Sequence, residues 1–344
     1  MKTTSALSRQ PEETLVDFLD REFGKESLAD LSGGDADAVP WRCWSRALYA
    51  PVREFLGRPG KQFRGEVLNL FYELGTRKDA PPEELAVAVE ALHAGSLVID
   101  DIEDGSSERR GAPSLHRLCG TPVAINAGNW LYFWPFRLLE QSPLSDEAKS
   151  KAHRLTTQVL LECHYGQALD LSVRMNELGQ AEVPQFVRAL TRLKTGSLVG
   201  LSAGLGALAG DASDEVGALA VQAGRELGIG LQMLNDLVAL GDDEGFAKGY
   251  EDLRSDRPTW VWSELATSLD SEDYAELRTM AVDVRNGANP APLAKRLHTL
   301  VMPRGKERVH EWFEAVILRL ARVTPAHFQA ALRREIERLE RGYV

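Results

Sequence analysis

Apolar residues recur at three- and four-residue spacing along almost the whole chain, in segments near 11–24, 43–56, 63–77, 82–100, 122–140, 146–175, 185–209, 213–241, 258–268, 271–285, 291–301, 306–322 and 325–341. That period is the helical one, and no convincing two-residue alternation of the β kind interrupts it. The spacing predicts an all-α chain, a single large helical bundle over residues 41–344 with its loops gathered at the ends. Gly and Pro mark the breaks, at 32–35, 58–61, 80–82, 289–292 and 302–305. Residues 1–40 form an N-terminal segment expected to be partly mobile, since 28–39 are rich in Gly, Asp and Ala. The segment 325–341 is amphipathic and rich in Arg and Glu, as suits an outer helix packed on the bundle.

Within this pattern one stretch carries chemistry. Asp100-Asp101-Ile102-Glu103-Asp104 is followed closely by Arg109-Arg110-Gly111. Asp100 and Asp104 are four residues apart, so on a helix both carboxylates leave one face, with Asp101 beside them. Such a cluster repels itself unless something doubly positive sits within it. Hard oxygen donors without Cys or His point to Mg²⁺, which keeps waters and shares substrate phosphates. The paired guanidinium groups suit phosphate oxygens. A solvated acidic helix end followed by a basic turn is the plainer alternative. Against it, Ala91-Leu92-His93-Ala94-Gly95-Ser96-Leu97-Val98-Ile99 runs apolar into the acids, which favours a cavity lining. An approximate echo follows at Gly230-Leu231-Gln232-Met233-Leu234-Asn235-Asp236, with Asp242, Asp243 and Glu244 beyond it. Two such helix ends could clamp one diphosphate through bridging metals.

Composition narrows the partners. The net charge of −11 offers no basic face for nucleic acid, so local basic spots serve small anions. The three cysteines, Cys43, Cys119 and Cys163, lack metal or disulfide spacing and fit a reducing cytoplasm. No run of about 18 apolar residues predicts a membrane span. A hydrophobic content of 44% over 344 residues suffices for a sizeable core.

From about residue 45 to about 260 the chain resembles the trans-isoprenyl diphosphate synthases, all-α prenyltransferases that elongate an allylic diphosphate with isopentenyl diphosphate. Gly60-Lys61-Gln62-Phe63-Arg64 resembles the family's GKxxR element, which implies that Lys61 and Arg64 hold isopentenyl diphosphate. His93 stands where the family has another ligand of that substrate. Asp100, Asp101 and Asp104 match the first aspartate-rich motif. Arg109 and Arg110 match its following pair, for the allylic and the isopentenyl diphosphate respectively. Gly166-Gln167-Ala168-Leu169-Asp170 is similar to the GQxxD element, which puts Gln167 and Asp170 near the metals. Lys194-Thr195-Gly196 resembles the element whose lysine grips the allylic diphosphate. Gln232 precedes the second motif as the family's glutamine does, and Lys248 and Arg257 fall near the late basic positions, Arg257 standing where lysine is more usual. The resemblance implies an isoprenoid synthase fold with the metal motifs on facing helices of a central cavity, two or three Mg²⁺ ions held by Asp100, Asp104, Asp170, Asn235, Asp236 and Asp243, and a homodimer.

The chain departs from that pattern at the second motif. DDxxD has become Asn235-Asp236-Leu237-Val238-Ala239. An amide oxygen still ligates Mg²⁺ without the full charge, so metal affinity should fall, with Asp242, Asp243 or Glu244 as compensation. Asn235, Ala239 and Asp243 also partly resemble the NDxx(S/T)xxxE motif of class I terpene cyclases, with Ala239 and Asp243 as mismatches. Trp130, Tyr132, Phe133, Trp134 and Phe136 read either as core or as the wall of a prenyl pocket, where their faces would stabilise a cation. Three functions are therefore expected in this order: prenyl transfer, terpene cyclisation, and a low-activity regulatory subunit. Lys61, Arg64, His93 and Arg110 argue for the first, because a cyclase needs no isopentenyl site. Lys194 and Asp236 join Asp100, Asp101 and Asp104 as the catalytic set. The small Gly95 and Ser96, upstream of the first motif, are expected to let a growing tail pass, which by family analogy implies a product of about C20 or longer.

Overall fold

The structure is a computed structural model describing residues 11–77, 79–240 and 243–343, with the side chains of 11–13 and 243–248 left out. Contacts divide the chain into two compact units, residues 1–65 with 80–153, and residues 66–79 with 154–344.

In the first unit the helices Glu83–Glu103 and Thr121–Gln141 pack side by side. Two glycines allow that approach. A Cβ at Gly95 would lie 2.9 Å from the Gly128 carbonyl oxygen, and one at Gly128 would lie 2.8 Å from Ile99 Cδ1. Gly95 is thus spent on helix contact and does not widen a tail pocket. The helix Pro11–Glu22 buries Leu15, Phe18 and Leu19, and Phe23 follows at its end. Phe23 packs at 6.0 Å on Trp130, which stacks on Trp134 at 4.9 Å. Those two tryptophans therefore belong to an N-terminal aromatic cluster. Phe136 stacks on His153, and Phe133 is 72% exposed. A hairpin of two-residue strands, Glu108–Arg109 and Ala112–Pro113, is the β structure among the described residues. Strands this short show no alternation, which hid the hairpin in the sequence.

In the second unit the helices Ser197–Ala209 and Asp214–Val238 pack closely. Gly200, Gly224 and Gly228 lie at their contact, each with room for less than a methyl group. The long helix Ala291–Leu320 overturns the expected break at 302–305. Leu297, Val301, Gly305, Val309 and Phe313 form one buried stripe through it, while Pro303 points to solvent where the freed carbonyl can be hydrated. The stretch 192–196 keeps the expected helical segment 185–209 continuous. It is a π-helical turn, Arg192–Gly196, joining Val183–Thr191 to Ser197–Ala209. The helix Ala326–Arg341 buries Phe328, Leu332, Ile336 and Leu339 on one face, as its amphipathic pattern predicts. No helix of the structure is long and apolar enough to cross a membrane.

Candidate active site

The candidate residues fall into two groups, one in each unit. In the first unit the helix Glu83–Glu103 sorts its acids by register. Asp101 continues the buried stripe Val87, Ala91, Ala94 and Val98, and its exposure is 0%. Asp100 and Asp104 continue the half-buried stripe of Glu90, His93 and Leu97. The adjacent aspartates are therefore in different environments. Arg109 Nε donates to Asp101 Oδ1 at 2.7 Å, its Nη2 reaches the same oxygen, and it lies 3.5 Å from Asp100 Oδ2. Burial pushes the Asp101 carboxyl up from its ordinary value, although the Arg109 hydrogen bond and charge act the other way. The first motif and the arginine pair thus meet, with Arg109 on the acids.

Arg110 turns the other way. Its backbone is left-handed, at φ +54°, and Gly111 follows at φ +73°. A Cβ at Gly60 would lie 3.3 Å from the Arg110 guanidinium, so the absence of a side chain there admits Arg110 against the loop that carries Lys61. Arg64, on the first turn of the helix Phe63–Tyr72, and Arg109 complete a cationic cluster around His93. Burial, and after it the charges of Arg64, Arg110 and Arg109, hold the His93 imidazole well below its usual value. Lys61 itself is exposed. A neutral imidazole beside three guanidinium groups makes a region prepared for an anion.

Sequence reading missed Arg58. The Glu54–Arg58 spacing of four was a visible signal of a helical ion pair, but nothing local to it pointed to the hairpin.

In the second unit Lys194 lies on the π-turn and Asp170 on the helix Asp146–Ser172. A Cβ at Gly166 would lie 2.5 Å from the Lys194 backbone nitrogen, so this glycine brings the two elements together. Lys194 Nζ then meets Asp170 Oδ2 at 2.6 Å, and Arg257 Nη1 lies 3.3 Å from the same oxygen. Thr195 Oγ1 donates to Gln232 Oε1 at 3.0 Å, and Gln232 Nε2 donates to Asp236 Oδ1 at 2.8 Å. The other Asp236 oxygen accepts from the Trp260 backbone N–H at 2.8 Å, at the start of the helix Trp260–Ser268. Asp236 therefore secures a helix N-terminus. Asn235 and Gln167 are half-buried. Asp242 lies outside the described residues, as do the side chains of Asp243, Glu244 and Lys248. A cavity of ≈ 20 Å³, lined by Asp236, Ala239, Asp252 and Arg257 among others, has room for about one water molecule.

Among the described residues, no three acidic, His or Cys side chains converge as a metal cage of their own. Both acid groups also sit near helix C-termini, Asp100 and Asp104 at the end of Glu83–Glu103 and Asn235 and Asp236 at the end of Asp214–Val238. The backbone dipole favours a cation there.

Comparison with known proteins gives the family. The family model described as polyprenyl synthetase matches residues 45–292. The chain belongs to the polyprenyl synthetase family. A short chain isoprenyl diphosphate synthase of Methanocaldococcus jannaschii is 30% identical over 235 residues, covering 67% of this chain and 69% of that protein. A geranylgeranyl pyrophosphate synthase of Penicillium janthinellum is 37% identical over 161 residues, 46% of this chain and 42% of that one. The chain thus spans about half the length of some curated relatives that it matches. Among solved structures, the geranylgeranyl pyrophosphate synthase of Corynebacterium glutamicum, complexed with isoprenyl diphosphate and magnesium, aligns with a TM-score of 0.76 at 22% identity, covering 96% of this chain and 97% of that one. The all-α isoprenoid synthase fold expected from the sequence is the fold of this polyprenyl synthetase family member.

Proposed function

We propose that this chain is a prenyltransferase condensing an allylic diphosphate with isopentenyl diphosphate by ionisation, condensation and elimination. The observation that carries this reading is the seating of Arg110 against Gly60, on the loop that carries Lys61 and leads into Arg64, while its neighbour Arg109 lies on the acids at the end of the helix Glu83–Glu103. A cyclase ionises one diphosphate and has no use for a second anion site. The names of the relatives, which are synthases of linear isoprenyl diphosphates, support the same reading. A regulatory subunit would not need both sets of side chains.

In this proposal Asp100 and Asp104 hold Mg²⁺, with Asp170, Asn235, Asp236 and Asp243 as the further donors for two or three ions. When bound, Mg²⁺ supplies positive charge that offsets the charge developing on departing pyrophosphate. Arg109, Lys194 and Lys248 bind the allylic diphosphate and stabilise the same charge. Lys61, Arg64, His93 and Arg110 hold isopentenyl diphosphate, whose double bond attacks the allylic cation. Gln167, Thr195, Gln232 and Arg257 join the substrate-binding set, Thr195 and Gln232 also orienting Asp236 through their hydrogen bonds and Arg257 lying on Asp170. Released pyrophosphate takes the final proton, so no side-chain base is required. Apolar surroundings keep water from the cation. Residues 41–344 are taken as one functional domain, with 1–40 as an N-terminal segment.

The similarity to a geranylgeranyl pyrophosphate synthase supports a product of C20 or longer. The exposed Ile125 and Phe133 on the helix Thr121–Gln141 support a homodimer, and the cysteine pattern a cytoplasmic setting.

The test is a product assay with purified protein and Mg²⁺, giving geranyl, farnesyl and geranylgeranyl diphosphate separately, each with and without isopentenyl diphosphate. Longer linear diphosphates that require isopentenyl diphosphate are expected. Hydrocarbon or terpene alcohol formed without it would make the chain a cyclase, and no product at all would favour the regulatory subunit.

A further inference from the structure

Arg58 follows the helix Ala50–Leu56 and is 5% exposed. Its Nε and Nη2 donate to the two carboxylate oxygens of Glu54 at 3.0 and 2.8 Å, a fork-to-fork pair that neutralises the buried charge. Its remaining bonds leave the helix. Nη1 donates to the Arg109 carbonyl at 3.0 Å, and Nη2 donates to the Pro113 carbonyl at 2.8 Å. Those carbonyls belong to the two strands of the hairpin whose tip is Arg110-Gly111.

A hairpin with two residues per strand has almost no stability of its own, so what fastens it decides where its tip lies. Here one side chain grips both strands from one side. The Arg58 backbone adds a third tie, because its carbonyl accepts from Arg110 Nη1 at 3.4 Å. The left-handed turn at Arg110 and Gly111 aims the Arg110 guanidinium back onto Gly60, two residues beyond Arg58. A planar guanidinium is required for this geometry. A lysine ammonium cannot hold Glu54 in a fork while reaching two carbonyls.

We propose that Arg58 is a positioning residue for the isopentenyl diphosphate site, fastening the hairpin so that Arg110 stays on the anion-binding cluster. This rests on the prenyltransferase reading above. The role of Arg58 is in affinity for the second substrate, because the side chain of Arg109, on the same hairpin, is held separately by Asp101.

The experiment compares wild type, Arg58→Ala and Arg58→Lys by steady-state kinetics in each substrate. Alongside, calorimetry with inorganic pyrophosphate in EDTA reads the arginine cluster without metal or turnover. Losing the charged hydrogen bonds should raise KM for isopentenyl diphosphate about tenfold in both variants, with KM for the allylic substrate changed less than about twofold. Pyrophosphate affinity should fall in parallel, and free guanidinium, but not methylammonium at equal ionic strength, should restore it in Arg58→Ala. Unchanged pyrophosphate affinity in the folded Arg58→Lys variant, equal rises in both KM values, or rescue by either cation alike would overturn the positioning role. A wild type that binds pyrophosphate in an Arg58-dependent way but never elongates would instead overturn the prenyltransferase reading.

Discussion

Gly166 lies so close to the π-turn that a Cβ there would sit 2.5 Å from the backbone nitrogen of Lys194. Backbone cannot yield as a flexible side chain does, so Gly166→Ala must push the helix Asp146–Ser172 away from the π-turn. The 2.6 Å bond between Lys194 Nζ and Asp170 depends on that approach. Gly166→Ala should lower unfolding stability by about 1–3 kcal/mol and weaken allylic diphosphate binding with it. Urea denaturation with a parallel KM determination checks this, and a variant of wild-type stability would show that the close contact is not needed.

Asp100 and Asp101 should separate into a reactive and a structural acid. Removing the buried Asp101 leaves Arg109 without its principal partner, and breaking such a pair costs about 3–5 kcal/mol. Asp101→Ala should therefore lose most of that stability. The Asp100 side chain is 20% exposed by comparison, and its contact with Arg109 is the longer one at 3.5 Å. Asp100→Asn should stay within about 1 kcal/mol of wild type while its Mg²⁺ requirement rises. Denaturation curves and Mg²⁺ titrations of both variants test the split, which fails if the two behave alike.

That split was half legible in the sequence. The spacing of Val87, Ala91, Ala94, Val98 and Asp101 is a buried helical stripe that periodicity alone could have revealed, yet identical neighbouring aspartates invited a single reading. The helices themselves followed from apolar spacing, because burial of one face enforces the period. Pro303 was misread as a break because a local rule about proline lost to a continuous stripe on the far side of the helix. The π-turn at Lys194 keeps the chain helical while adding one residue to the turn, which no composition signals. Arg58 shows the limit most sharply: its bond to Glu54 is local, but its bonds to Arg109 and Pro113 join residues about fifty positions on.

Asp236 should behave as a helix cap as well as a site residue. Its Oδ2 accepts from the Trp260 N–H and its Oδ1 from Gln232. Asp236→Ala removes both acceptors and should cost about 1–2 kcal/mol, whereas Asp236→Asn keeps one acceptor and should cost less than half as much. Amide hydrogen exchange at Trp260 is the direct readout. Protection there should drop in Asp236→Ala, and an unchanged rate would remove the capping role.

His93 should give stability a measurable pH dependence. Its folded pKa is held well below the ordinary 6.5 by burial and by Arg64, Arg110 and Arg109. Below that ordinary value the unfolded chain takes up a proton that the folded chain refuses. The stability that His93 lends is therefore complete above pH 6.5 and falls as the pH drops from there toward the folded pKa. The slope for one proton reaches about 1.4 kcal/mol per pH unit. Urea unfolding across this window should show that slope in wild type in excess of His93→Gln, since the other histidines contribute equally to both. A diphosphate on the cluster offsets the three arginine charges and raises the His93 pKa, so binding should draw in protons. Calorimetry of pyrophosphate binding in EDTA, repeated in buffers of different ionisation enthalpy, counts them. Equal heats in every buffer would mean that the anion binds away from His93.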